Sequence, residues 1–325
     1  MSATQRAYRL SEQDGRVAGG VVEIPVPQIG AGDVLIRCEY AGVNYKDAMV
    51  GRGLGKIVRQ YPRIGGIESV GRIERSNDPR FTPGDAVIVH GFGIGVDRDG
   101  GFAQYLSVPA DLVLKLPPQL EPRVAATIGV AGYTAALSID AMELNGLTPE
   151  RGPIAVNGAT GGVASVAIAM LCRRGYRVHA LTRNSGEAPY LRALGAAEVL
   201  PPLEPSARPL ESERWAGAVD SLGGAPLASL LRTMKSDGVI ASFGNAAGND
   251  LQTTVLPFIL RGVRLIGIVA NSPMPLRQRI WQRIATDLKP AEVDSIAQWI
   301  TLDALPQAFD SLLQGSGRGR FVLRL

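Results

Sequence analysis

The first residues with an evident chemical use are glycines. Gly158-Ala159-Thr160-Gly161-Gly162-Val163-Ala164 follows an apolar run, Ile154-Ala155-Val156-Asn157, and leads into a helical pattern over residues 161–174. Small residues here let a strand turn tightly into a helix. Backbone N–H groups can then approach a pyrophosphate at the positive end of the helix. A glycine-rich turn alone is a weak signal, since a tight helix start without a ligand has the same letters. The strand–helix–strand setting strengthens it. Gly158, Ala159, Thr160, Gly161, Gly162 and Val163 are therefore expected to bind a dinucleotide.

Which dinucleotide depends on the end of the next strand, Arg177-Val178-His179-Ala180-Leu181. A site for NAD places an acid about twenty residues beyond the turn, on the ribose 2′-hydroxyl. Here the chain reads Thr182-Arg183-Asn184, with no acid. A hydroxyl and a guanidinium suit the 2′-phosphate of NADPH. The plainer account makes Arg183 a solvated loop cation. Ser221 and the pair Gly244-Asn245 end two later strands, on the carboxyl edge where ligands of such sheets sit. They join the expected cofactor set, although ordinary loop turns explain each of them as well.

Elements that could position these residues divide the chain by texture. Up to about residue 120, short alternating runs such as Val34-Leu35-Ile36-Arg37-Cys38-Glu39-Tyr40 are broken by Pro and Gly, the pattern of a small β unit. Beyond it, apolar strands alternate with helical stretches, which predicts a parallel doubly wound sheet. Strands are expected at 218–220, 238–242 and 263–268, and helices near 275–288 and 303–313. The final run, Arg320-Phe321-Val322-Leu323-Arg324, needs a partner strand and is expected to return to the first domain.

Bulk properties narrow the class. The length of 325 residues suggests two domains. By the sequence, no apolar run is expected to approach the roughly 20 residues of a membrane span, and the polar N-terminus has no signal-peptide core. A cytoplasmic protein is expected. Cys38 and Cys172 lie far apart, which fits a reducing compartment. The net charge of +4 is spread out, without a basic block, so nucleic acid is not an expected partner.

Several segments together resemble the medium-chain dehydrogenase/reductase superfamily over nearly the whole chain. Within it, the similarity is to the branch of acrylyl-CoA reductases and quinone oxidoreductases. The segments are Val43-Asn44-Tyr45-Lys46-Asp47-Ala48, Gly55-Lys56-Ile57-Val58-Arg59, Asp78-Pro79-Arg80-Phe81, Gly129-Val130-Ala131-Gly132-Tyr133-Thr134-Ala135, Trp215-Ala216-Gly217-Ala218-Val219-Asp220 and residues 254–261. The resemblance implies an α/β protein: a GroES-like β domain (1–121 with 270–325) and a Rossmann NADPH-binding domain (122–269). It further implies NADPH in the cleft between domains, and a homodimer. Some relatives hold catalytic zinc through a Gly-His-Glu motif. This chain has Gly66-Ile67-Glu68, and its two Cys and two His are scattered, so no metal is expected.

The resemblance also assigns chemistry. Asn44, Tyr45 and Asp47 are the catalytic candidates: Asn44 would place the nicotinamide or the substrate, and Tyr45 would donate a proton or hydrogen bond to a developing enolate. Lys46 and Asp47 could instead pair with each other and hold the loop, and Tyr45 could be a packed aromatic with its hydroxyl at the surface. Thr134 would hydrogen-bond cofactor or substrate, and Arg320 joins the cofactor set. Lys56, Arg59 and Arg63 would suit an acyl-CoA phosphate, or be solvated charge. Departures from the branch pattern stand at Asp97-Arg98-Asp99, Val130 and Val269-Ala270. The expected activity is hydride transfer from NADPH to an activated double bond. Quinone reduction and a catalytically silent NADPH-binding protein are the alternatives.

Overall fold

The computed structural model describes residues 3–291 and 293–325. The chain divides into two compact units, one of Met1–Val130, Asn271–Trp281 and Asp294–Leu325, the other of Ala131–Ala270 and Gln282–Val293.

The first unit is built from β-strands. Thr4–Gln13 pairs antiparallel with Arg16–Pro25 and with the short strand Arg63–Ile64. A second sheet runs Ala297–Ile300, Arg320–Arg324, Asp33–Val43, Glu68–Ser76, Ala86–His90 and Leu114–Lys115, with Tyr105–Pro109 also pairing to Asp33–Val43. The last strand does find its partner: Phe321–Arg324 lies antiparallel to Tyr40–Val43. In the strand Asp33–Val43, Val34, Leu35 and Ile36 are all buried, so this strand is covered on both faces. Val34, Ile36, Ile73, Val87, Val89, Leu106 and Val108 form one core cluster. Each such aliphatic side chain contributes about 1.5–3 kcal/mol when fully buried.

The second unit is a six-stranded parallel sheet. Its order is Glu198–Leu200, Val178–Leu181, Ile154–Asn157, Trp215–Asp220, Met234–Ser242, Arg264–Gly267. That is the doubly wound order whose switch point lies beside the first strand. Trp215, Leu231, Met234 and Ile240 anchor a core cluster on it. Expected strands and helices are present with shifted ends: the helix after the glycine turn is Gly162–Arg173, and the later two are Met274–Ala285 and Leu305–Gln314.

Two expectations need correction. The helix Pro122–Leu144 is long and apolar enough to cross a membrane, contrary to the reading that no run approaches that length. It is a core helix: 83% of its apolar window is buried, and Thr127 and Ser138 within it are fully buried polar residues. The first boundary, placed at 121 by the sequence, falls inside this helix, next to its break at Gly129. Residues 282–293 belong to the second unit because Arg283 binds Asp140 at 3.0 Å and Glu143 at 2.7 Å.

Candidate functional site

In the second unit the glycine turn has the geometry of a phosphate cradle. Gly158 adopts φ +57°, a region open to glycine at little cost. A Cβ there would collide with Ser221 Oγ and lie 3.2 Å from Leu222 Cδ2. Gly161 N–H closes the turn onto Gly158 O at 2.9 Å, and Ser165 N–H continues the helix onto Gly161 O at 2.8 Å. Ala159 and Ala164 are buried, whereas Gly158, Thr160, Gly161, Gly162 and Val163 remain partly open. No side chain caps the helix Gly162–Arg173. Its first N–H groups are orphan donors of the kind that an anion satisfies.

Two buried polar residues hold this edge, and neither was in the sequence-derived site. Asn157 Oδ1 accepts the Ser221 N–H at 2.8 Å, and Asn157 O accepts the Ser221 hydroxyl at 3.0 Å. Asp220, fully buried, accepts from Asn157 Nδ2, from the Gly223 N–H at 3.2 Å and from Ser242 Oγ at 2.7 Å. A buried carboxylate is tolerable only when so satisfied. Both residues end strands, which was their only signal in the sequence. Gly244 packs on the Ser221 backbone so closely that any Cβ would clash. Asn245 is exposed, with its amide tied to Asn249 at 2.6 Å.

At the next strand end, Arg183 is exposed and makes no ion pair among the described residues. Thr182 is 9% exposed, and its hydroxyl oxygen accepts the Asn184 N–H at 3.1 Å. The hydroxyl is therefore engaged in its own turn, and Arg183 is the open charge. Thr134 is buried in the helix, where its carbonyl accepts Ser138 Oγ at 2.8 Å.

In the first unit, Asn44 begins the short helix Tyr45–Gly51. Its N–H donates to Asp47 Oδ2 at 2.8 Å, and the Ile67 N–H donates to Asp47 Oδ1 at 2.9 Å. Asp47 is 3% exposed while Lys46 is exposed, so the pairing of Lys46 with Asp47 weighed above does not occur. Burial pushes the Asp47 carboxyl up to about 7; the two backbone N–H groups oppose this, and nearby Glu68 adds to it. Asp47 sits beneath the loop and braces it. Tyr45 is 45% exposed, with no hydrogen bond for its hydroxyl among the described residues.

Arg320 is 2% exposed. It donates through Nη1 to Ile128 O at 2.6 Å and through Nη2 to Glu68 Oε1, and its Nε is buried without a partner. Two of its donor nitrogens are thus spent within the first unit, a use the expected cofactor role did not foresee. Arg63 is tied to Asp99 at 3.3 Å, and Lys56 and Arg59 stand in solvent.

The donors that zinc would need are engaged elsewhere. Trp281 Nε1 donates to His90 Nε2 at 3.1 Å, and burial holds His90 well below its usual range. Trp215 Nε1 donates to His179 Nδ1 at 3.1 Å. Burial pushes the Cys38 thiol up to about 12. Among the described residues no three His, Cys, Asp or Glu side chains gather into a cluster able to hold a metal ion.

Comparison with known proteins agrees with this architecture. Residues 30–118 match the alcohol dehydrogenase GroES-like domain, and residues 162–286 match the zinc-binding dehydrogenase family. The chain is 42% identical to YhfP of Bacillus subtilis, provisionally named a quinone oxidoreductase, over 100% of both chains. The crystal structure of yhfP with NAD bound superposes with a TM-score of 0.96. The acrylyl-CoA reductase AcuI of Ruegeria pomeroyi is 42% identical over 96% of both chains. The yhdH oxidoreductase of Salmonella enterica, solved in complex with NADP, is 39% identical, covers 98% of this chain and 99% of its own, and has a TM-score of 0.94. The chain belongs to the medium-chain dehydrogenase/reductase superfamily, in the branch of the acrylyl-CoA reductases and YhfP-like quinone oxidoreductases.

Proposed function

We propose that the protein is an NADPH-dependent reductase of activated double bonds, such as an enoyl thioester or an enone. The observation that carries the reading is the Gly158–Val163 cradle, followed at the next strand end by an exposed Arg183 where an NAD site would have an acid. The uncapped helix N-terminus and the glycine space around Ser221 fit a dinucleotide, and Arg183 fits its 2′-phosphate. When bound, the nicotinamide supplies the hydride.

The chain's own residues have three tasks. Asn44, whose side-chain N–H donates to Asp47 and Glu68, orients what lies above it. Tyr45 offers the exposed hydroxyl that hydrogen-bonds the carbonyl oxygen as charge develops there, and is the proton donor in our reading. Asp47 holds the Asn44 backbone and so fixes the start of the loop. Quinone reduction is the second reading, favoured by the likeness to YhfP.

NADPH absorbance followed against acrylyl-CoA, longer enoyl thioesters, simple enones and quinones tests this. Fast oxidation with the unsaturated carbonyls is expected. Turnover with quinones alone makes the second reading the right one, and no turnover with any acceptor leaves a silent NADPH-binding protein. We also propose a cytoplasmic homodimer. Arg264–Gly267 is an edge strand of the parallel sheet, and Val255, Ile259, Leu260 and Val269 near it are each more than 60% exposed. An unpaired edge beside apolar surface fits a second copy, and sedimentation analysis showing only monomer at micromolar concentration would exclude it.

A further inference from the structure

The helix Pro122–Leu144 is broken at Gly129, where φ is 49° and ψ −156°. A break inside a buried helix frees a carbonyl before it and an N–H after it. An unsatisfied buried group of this kind is costly. Here one ion pair takes both. Arg320 Nη1 donates to Ile128 O at 2.6 Å, Glu68 Oε2 accepts the Val130 N–H, and Arg320 Nη2 donates to Glu68 Oε1. The pair is 2% and 1% exposed. Glycine is needed at both backbone approaches, since a Cβ on Gly129 or Gly42 would overlap the Glu68 carboxylate.

Glu68 has one further partner. Its Oε1 accepts Asn44 Nδ2 at 3.2 Å. The carboxylate therefore joins the helix break, the last strand and the start of the Asn44–Asp47 segment. An apolar pair of similar volume often serves stability as well as a buried ion pair does. It could not accept an N–H from Val130 and another from Asn44. That difference points to a use beyond stability.

We propose that Glu68 and Arg320 are positioning residues for the reaction, fixing Asn44 and the Gly129–Val130 break in one geometry. This rests on the reading of Asn44 as a residue that orients cofactor or substrate. The polar support of the glycine cradle comes from other residues, Asn157, Ser221 and Asp220.

Glu68→Gln keeps the shape and one acceptor oxygen but loses the charge. We expect kcat with the best acceptor to fall 10- to 100-fold, the scale that a misplacement of about 1 Å can cause. The Kd for NADPH, read from cofactor fluorescence, should stay within threefold. Hydrogen exchange in the cofactor-free protein should quicken in peptides covering 41–47 and 126–132 and nowhere else. If Glu68→Gln alone does not fold, the double variant E68Q/R320Q leaves no lone buried charge, and the same fall in kcat and the same quickened exchange in the two peptides are expected of it. An active wild type whose variant keeps kcat within twofold overturns the proposal, as does unchanged exchange in both peptides. A wild type inactive with every acceptor would instead overturn the functional reading on which the proposal rests.

Discussion

Replacing Gly158 by alanine should damage the cofactor site by an amount that can be built up from the structure. The residue holds φ +57°, so any side chain pays for a left-handed backbone, about 1–2 kcal/mol. The added methyl also collides with Ser221 Oγ. Ser221 cannot swing away freely, because its hydroxyl donates to Asn157 O at 3.0 Å and its N–H to Asn157 Oδ1 at 2.8 Å. Crowding of this kind costs about 1–3 kcal/mol. Gly175→Ala is the matched control, since Gly175 has φ +84° and nothing within 4 Å of its Cβ position. It should show the backbone cost alone. Gly158→Ala should therefore melt lower than the control by about 2–12 °C, at roughly 2–4 °C per kcal/mol for a unit of this size. Its NADPH affinity should drop about 10- to 100-fold while that of the control is unchanged, each tenfold being about 1.4 kcal/mol. Differential scanning calorimetry and fluorescence titration read the two quantities. Equal melting of the two variants together with unaltered NADPH affinity would refute the cradle argument.

Arg183→Ala should weaken NADPH binding about 10- to 100-fold, from loss of a charge-assisted contact of roughly 1.5–3 kcal/mol, and leave NADH within threefold; equal effects on both cofactors would remove Arg183 from the 2′-phosphate site. The comparison is sharp because YhfP was solved with NAD and yhdH with NADP. Asp47 should make stability depend on pH. Its carboxyl is raised to about 7 in the fold, so between about pH 4 and 7 the native state holds a proton that the unfolded chain has lost. Its contribution is complete below about pH 4 and is lost as the pH rises through 7, with a slope of at most ~1.4 kcal/mol per pH unit. In Asp47→Asn that slope should be absent when unfolding is followed by urea titration from pH 5 to 8, and an identical slope in both proteins would contradict it.

Local features were the legible ones. The glycine turn could be read because all its requirements lie within Gly158–Ala164 and the strand before it. The Thr182-Arg183 strand end was equally visible, because the next strand follows after one helix. The membrane-length helix was missed because Thr127, Ser138 and Asp140 interrupt its apolar pattern, although each is buried. For Asp47 the sequence left chemistry and holding the loop both open; in the structure it is buried and accepts the Asn44 N–H. Its second partner is Ile67, twenty residues on, whose N–H also donates to Asp47.

The sequence by itself determined the tight glycine turn between strand and helix, which follows from the size of adjacent residues; the segment Asn44–Asp47 was singled out by the family resemblance. Only the tertiary structure decided how those residues are held. Glu68 meets Arg320 across 252 positions, and Asn157 meets Asp220 across 63. No periodicity links such pairs. They come together because Asp33–Val43 pairs with both Arg320–Arg324 and Glu68–Ser76, and Trp215–Asp220 pairs with Ile154–Asn157. Buried polar groups at those meeting points must then satisfy one another, since water cannot.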